Sequence, residues 1–440
     1  LFPYQGTPRD VGDAIVDMLY PEGATGRIPI ISTTGTNGKT TVTRMIGHAL
    51  LEAGNAVGMT TTDGIYINGE TIVEGDTTGP ASARTVLSDP TVEVAVLETA
   101  RGGILRRGLG YDWADIAILT NIKADHIGQD GIESVDDILH IKSLVAERVR
   151  EGGTLILNAD DERLARLTEH AAVNRTSKRI IYFSLEPNNP LIARHRATGG
   201  TAYFIRDGWI IEANGEAEAD VLEIASMPVA LGHAASFQIA NAMAAIAACR
   251  AYGLERQQVA ASLQSFRSEV HNPGRANMYE VRGGHVMVDY GHNPDAFEAV
   301  ARMASQLQAR RVTGIIGVPG DRDNSVVIEA GHIAARGFHR LFVKEDKDLR
   351  GRRHGEVAGL LCRAINEAAP DRHCQVILDE CEALEQELAQ IQPGDFLVIF
   401  FEKLEVVRKI IERHQAMSSP AIEMQAGNTQ QYTQQAGEIR

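Results

Sequence analysis

The stretch "IPIISTTGTNGKTTVTRMIGHALLEAG", from Ile28 to Gly54, decides the fold. Ile28 to Ser32 is a short β-branched run and reads as a buried strand. From Thr40 onward Val42, Met45, Ile46, Ala49, Leu50 and Ala53 recur at helical spacing, and Gly54 suits a C-terminal cap. Strand, glycine turn and helix start together aim backbone N–H groups and a positive dipole end at an anion. Lys39 adds a point charge for the β/γ-phosphates of a nucleotide, and Thr40 a hydroxyl for Mg²⁺. One position departs from the generic phosphate loop: Thr33 stands where that pattern has glycine. The competing reading, an ordinary glycine turn, is disfavoured because Gly-Lys-Thr directly after a strand rarely arises by chance.

Outward from this segment, strand-like runs alternate with helical patterns as far as about Phe266. The runs are "VEVAVLET" (92–99), "IAILTNI" (116–122), "GTLILNAD" (153–160) and "RIIYFSL" (179–185). The alternation predicts an α/β unit over 28–270 with a mostly parallel central sheet and helices on both faces. "SVDDILHIKSLVAERV" (134–149) has helical spacing, and "FQIANAMAAIAACRAYG" (237–253) reads as an Ala-rich buried helix. Asp207-Gly208 and Asn214-Gly215 are hairpin signals. A second, smaller Rossmann-like α/β unit is expected over 271–414. Residues 415–440 are polar and Gln-rich and are expected to be a disordered tail.

At 440 residues the chain is too long for one typical core, so two or three domains are expected. Apolar content of 44% with 23% charge is ordinary for a globular protein. A net charge of −15 argues against a nucleic-acid groove, which demands clustered Lys and Arg. No apolar run approaches a membrane span. The four cysteines show no metal spacing and read as buried thiols in a reducing cytoplasm. The chain opens at Leu1 in a segment that reads as already under way, a piece of something longer.

The residues that discriminate among chemistries lie after the later strands. Glu98 ends a buried strand, where a carboxylate reaches metal or phosphate at the sheet's C-terminal edge. Alone, such an acid is as often merely solvated. "TNIKADHIG" puts Asp125 and His126 at the same edge, although a lone histidine is more often a packing residue. Together with the Lys-Thr pair these groups point to a metal–nucleotide site. Lys142, on the following helix, would by itself be a surface lysine.

In order, "GTNGKTT" (35–41), Glu98, "ADH", Lys142, "PGR" (273–275) and "VDYGHNP" (288–294) resemble the muramyl ligase (Mur ligase) superfamily. That family's phosphate loop begins at the position of Gly35, which accounts for Thr33. The resemblance implies ATP and Mg²⁺ as cofactors, and amide formation through an acyl phosphate with Lys39, Glu98, His126 and Lys142 as the catalytic set. Gly35, Thr36, Asn37, Gly38, Lys39, Thr40 and Thr41 would cradle phosphate. Thr40 and Glu98 would hold one metal and His126 a second, while Lys142 stands where the family carries a carbamylated lysine. Asn241 matches an adenine-side residue, Arg275 a γ-phosphate-side arginine and Asp289 a ribose-side aspartate, with Tyr290 and His292 alongside.

Within the superfamily, "TTTDG" (60–64), "DTTGP" (76–80), "LETARGGILRRGLG" (97–110), "GVPGDRDN" (317–324) and "KEDKDLRGR" (344–352) resemble a branch that builds an aspartate–arginine polymer. There this half adds L-arginine to the β-carboxylate of an aspartate-terminated chain, and an ATP-grasp region fused upstream adds the aspartate. Residues 1–27 resemble the connector between the two, and the family suggests a homo-oligomer. Arg101, Arg106 and Arg107 are candidates for holding the acidic acceptor. Asp321, Glu345, Asp346 and Asp348 are candidates for the guanidinium, with local pairing to Arg350 and Arg352 as the equal alternative.

Overall fold

In the computed structural model, residues 11–20, 26–125 and 127–418 are described, save the side chains of Val11, Asp13 and Ser418. The quoted stretch forms the strand Ile30–Thr34 and the helix Lys39–Glu52. The strand pairs in parallel with Val94–Glu98 on one side and Ala114–Leu119 on the other. These three strands sit inside an eleven-stranded sheet. Toward one edge follow the parallel strands Val149–Asn158, Arg179–Ser184 and Thr201–Arg206, then the antiparallel pair Trp209–Asn214 and Ala217–Glu223. Toward the other lie Val57–Thr60, Gly64–Ile67 and Glu70–Glu74.

Alternation along the central strands builds two cores. Ile116, Ile118 and Ile156 face the helices Lys39–Glu52 and Ser236–Tyr252, whereas Ala117, Leu119, Leu155 and Leu157 face the helix Val135–Glu147. Both faces are covered, so these strands read as continuous apolar runs rather than alternating ones. Burying each such Ile or Leu contributes about 1.5–3 kcal/mol. In the helix Ser236–Tyr252 the buried Ala242, Ala244, Ala245, Ala247 and Ala248 leave room for close packing against Lys39–Glu52. That closeness brings Asn241 onto the phosphate loop.

The first hairpin turns at Asp207-Gly208, both left-handed (φ 51° and 81°), as a type I′ turn requires. The second is shifted by one residue from the expectation. Asn214 still pairs with Ala217, so the turn residues are Gly215 and Glu216, with the left-handed Gly215 leading.

The second sheet runs Asn277–Val281, Gly284–Asp289, Asp395–Phe400, Arg311–Ile316, Arg340–Val343, His373–Val376, parallel except for its first strand. The chain is thus an α/β protein with two mostly parallel sheets, as expected. The final helix, Leu404–Ser418, continues past His414, so the second unit extends beyond the expected boundary. The rest of the expected tail, 419–440, lies outside the described residues, as do 1–10 and 21–25 of the expected connector. Within that connector, Val11–Leu19 is helical. Of the cysteines only Cys249 is buried; Cys362, Cys374 and Cys381 are half-buried, and the Sγ atoms of Cys362 and Cys374 lie 2.9 Å apart. No helix among the described residues is long and apolar enough to cross a membrane.

Candidate active site

Parallel pairing fixes where the functional side chains emerge. Thr33 is in register with Glu98, and Thr34 with Leu119, so three strands end together beneath the phosphate loop. Gly35 and Gly38 both have positive φ (149° and 85°). A Cβ on Gly35 would collide with the Thr120 hydroxyl, and one on Gly38 with the amide oxygen of Asn241. Only glycine fits at either position. The loop is further tied to the segment after the Ala114–Leu119 strand. Asn37 N–H donates to Asn121 Oδ1 (2.9 Å), Thr120 Oγ1 to the Asn37 carbonyl (2.6 Å), and Lys123 N–H to Thr36 Oγ1 (2.9 Å). Lys39 Nζ donates to the Thr36 carbonyl at 2.8 Å, holding the amine across the loop.

At the helix start, Thr40 Oγ1 donates to Glu98 Oε2 at 2.9 Å. Thr62 holds the same carboxylate twice, through its N–H to Oε2 (3.0 Å) and its hydroxyl to Oε1 (2.9 Å). Glu98 is 2% exposed, and the side chains that hold its carboxylate are the neutral hydroxyls of Thr40 and Thr62. A buried carboxylate held only by neutral donors beside a phosphate loop suits Mg²⁺, which takes one or two protein oxygens and completes its shell with phosphate and water. Among the described residues no three His, Cys, Asp or Glu cluster as a closed metal cage. His126 lies outside the described residues; its neighbour Asp125 is buried at the same sheet edge.

Lys142 is not on the surface. It is 4% exposed, and its Nζ donates to the Gly35 carbonyl at 2.7 Å. Burial first, then the positive charge of Lys39, holds its amine well below the ordinary lysine range. The sequence pattern alone placed it on a helix; only packing of that helix under the loop turns it inward.

The second unit completes the site. Asn272 Nδ2 donates to Thr41 Oγ1 (3.1 Å) and Asn293 Nδ2 to Asn37 Oδ1 (3.1 Å). Arg275 stacks 4.4 Å over the Tyr290 ring and lies 3.6 Å from Asp63, which also pairs with Arg44 at 3.0 Å. Asp289 accepts N–H groups from Ala276 (2.8 Å) and Gly291 (2.7 Å); desolvation nevertheless raises its carboxyl. Desolvation lowers His292. Between the units a cleft of about 450 Å³ is lined by Asn37 to Thr41, Glu98, Asn241, Arg275, Asp289, Tyr290 and His292. All the expected nucleotide residues on described positions except Gly35 line this one cleft, and Gly35 borders the next.

A second cavity of about 610 Å³ opens on the other side of the loop. Gly35, Thr36, Lys39 and Lys142 form its inner wall, with Asp76, Thr78, Arg101, Arg106, Arg107, Asp125 and Asp321 around it. Thr36 and Lys39 therefore border both spaces. Of the four acidic candidates for a guanidinium, only Asp321 lines this cavity, and it is already paired with Arg350 (3.0 Å) and Arg322 (2.8 Å). Asp346 pairs with Lys344 (2.7 Å), Asp348 Oδ1 accepts from Arg350 N–H, and Glu345 Oε2 from Gly355 N–H. The expected local pairing with Arg350 holds for Asp321 and Asp348, whereas Asp346 and Glu345 have other local partners and Arg352 pairs with Glu356.

Several site residues were not singled out from sequence. Thr62 lay inside the quoted "TTTDG", and its run of hydroxyls after a strand was the available signal. Among the described residues Arg322 is the largest fully buried side chain, and it bridges to Asp125 across the units at 3.0 Å. Nothing local marks an arginine as buried, because its burial depends on a carboxylate nearly two hundred residues away.

The two sheets, the phosphate loop between two cavities and the closing second unit define a class: the chain belongs to the Mur ligase family of ATP-dependent amino-acid ligases. The Mur ligase middle domain matches residues 33–249, and the Mur ligase, glutamate ligase domain matches 274–400. The chain is 41% identical over 411 residues to the cyanophycin synthetase of Trichormus variabilis, covering 93% of this chain and 45% of that protein. It thus spans about half the length of the curated relatives of that kind. To the UDP-N-acetylmuramoyl-L-alanyl-D-glutamate–2,6-diaminopimelate ligase of Bacillus cereus it is 24% identical, over 88% of this chain and 75% of that protein. In structure it resembles a bifunctional folylpolyglutamate synthase/dihydrofolate synthase solved with Mn, AMPPNP and L-glutamate. The TM-score is 0.63 at 16% identity, over 89% of this chain and 90% of that one.

Proposed function

We propose that this chain joins L-arginine to the β-carboxylate of the terminal aspartate of cyanophycin, using ATP. One observation carries the reading: Thr36 and Lys39 border both the nucleotide cleft and the second cavity, so a carboxylate in one space meets a γ-phosphate from the other at Lys39. The choice of substrates rests on the 41% identity over 411 residues to a cyanophycin synthetase.

The chemistry proceeds in two displacements. An oxygen of the aspartyl β-carboxylate attacks the γ-phosphorus, the P–O bond to ADP breaks, and an acyl phosphate forms. The α-amine of arginine then attacks the acyl carbon, phosphate leaves with the C–O bond pair, and the amine loses a proton. Bringing two anions together needs positive charge where it builds up. Lys39 supplies one such charge, and Arg275 a second if it swings from Asp63 onto the phosphates. Mg²⁺ held by Thr40 and Glu98, with His126 serving a second ion, would neutralise the remaining phosphate charge. Asn241 against Gly38 and Asp289 at the far wall of the cleft orient the base and ribose.

Phosphate release in ATP and Mg²⁺ tests the reading, with arginine, lysine or glutamate as the amine and a peptide ending in free aspartate as acceptor. Product with arginine alone supports it. Product with another amine assigns a different member of the family, and none with any amine leaves only nucleotide binding.

A further inference from the structure

The proposed acceptor has a property that the site must answer. A terminal aspartate presents two carboxylates on adjacent carbons, and only one is to be phosphorylated. The other stays anionic inside the same cavity, and a buried anion needs a cation with matching geometry. Among the cavity's cations, Lys39 is bonded to the Thr36 carbonyl and Lys142 to the Gly35 carbonyl. Arg106 and Arg107 are exposed at the rim. Arg101 differs from all of these: it is 8% exposed and lines the cavity three residues after Glu98. A single ion pair, from Nη1 to Asp130 at 3.1 Å, holds it, while its buried Nε–H has no acceptor among the described residues. Other arginines here, Arg311 and Arg340 among them, also have a buried Nε–H without an acceptor, so what sets Arg101 apart is its place as a buried guanidinium in the wall of this cavity.

We propose that Arg101 clamps the carboxylate of the acceptor's terminal residue that is not phosphorylated, and so selects which carboxylate faces Lys39. This rests on the ligase reading above. Its planar fork can meet both oxygens of a carboxylate, which a lysine cannot. Asp130 is the positioning residue: it sits at a left-handed φ of 49°, pairs with Arg101, and contacts Arg106 at 3.5 Å. The site therefore recognises a 1,2-dicarboxylate terminus rather than any carboxylate.

The experiment compares two acceptor peptides ending in aspartate, one with a free α-carboxylate and one with an α-carboxamide. In the unaltered chain, amidation should lower kcat/KM by about 10- to 100-fold, the scale of a hydrogen-bonded charge pair. In Arg101→Ala the free peptide should fall by a similar factor, and the difference between the two peptides should vanish, with KM for ATP unchanged. Arg101→Lys, which keeps the charge and loses the fork, should leave a reduced preference, and serves if the alanine variant does not fold. Asp130→Asn should weaken the preference in the same direction. An amidation penalty undiminished in Arg101→Lys and Arg101→Ala overturns the clamp while leaving the ligase reading intact. No turnover of either peptide by the unaltered chain, with any amine, overturns the ligase reading itself.

Discussion

The side-chain amine of Lys142 donates a 2.7 Å hydrogen bond to the carbonyl of Gly35, the first residue of the phosphate loop. The bond turns a helix lysine into part of the loop's floor, next to Lys39. Two amines there repel when both are charged, and burial and Lys39 together favour the neutral form of Lys142. We propose, from the family resemblance, that the neutral amine attacks CO₂ to become a carbamate, which would present oxygens to a metal. Lys142→Ala is expected to lose at least about 100-fold in kcat, with partial rescue by short carboxylates. Full activity in this variant removes Lys142 from the mechanism.

The same burial makes a stability prediction. The folded pKa of Lys142 lies below its unfolded value near 10.5, so the unfolded state binds the extra proton between the two. Stability from this group therefore rises with pH through that window, and its burial weighs against the fold below it. Replacing it by the apolar Lys142→Met should raise the melting temperature at neutral pH by a few degrees, on the order expected for 1–2 kcal/mol. The gain should shrink as pH climbs toward 10. A variant that melts lower at neutral pH would show that the bond to Gly35 outweighs desolvation.

Lys39→Ala should cut kcat by at least about 100-fold with little change in melting temperature, because the charge acts on the phosphoryl group in transfer. Retention of most ATP-dependent product formation in a folded variant would remove the phosphate-loop assignment.

Glu98 lies beneath the loop, its carboxyl group held by Thr40 and Thr62. Thr62→Val keeps the shape of that support and deletes the hydroxyl donor. It is expected to raise the Mg²⁺ concentration at half-maximal activity by about 10-fold, the low end for partners that orient a metal ligand. An unchanged Mg²⁺ titration would assign Glu98 a structural role.

Much of this was legible because it is local. A glycine pattern between a strand and a helix needs no distant partner, so the strand–turn–helix at its start could be read directly, whereas the strands Val57–Thr60, Gly64–Ile67 and Glu70–Glu74 were not. The hairpin at Asp207-Gly208 was equally legible, since both turn residues demand positive φ. The one at Asn214-Gly215 slipped by a residue because a leading glycine also makes a turn, and pairing decided between them. Lys142 by itself read as a surface lysine, and Arg101 was one of three candidate arginines that the sequence did not rank; the burial of both arises from helix packing that spacing does not encode. The salt bridge of Arg322 to Asp125 is still more remote, joining the two units. Breaking it with Arg322→Ala removes a buried ion pair between the units and should cost about 3–5 kcal/mol in denaturant unfolding.

The central claim is that a carboxylate is activated at Lys39 and captured by arginine, and mass spectrometry on an acceptor labelled with ¹⁸O in its terminal aspartyl carboxylates tests it most directly. With ATP, Mg²⁺ and arginine, the account predicts one arginyl residue added to the β-carboxylate, and one ¹⁸O transferred from the acceptor to the released phosphate. Phosphate released without label, or an acceptor that gains no arginine while ATP is consumed, would contradict it.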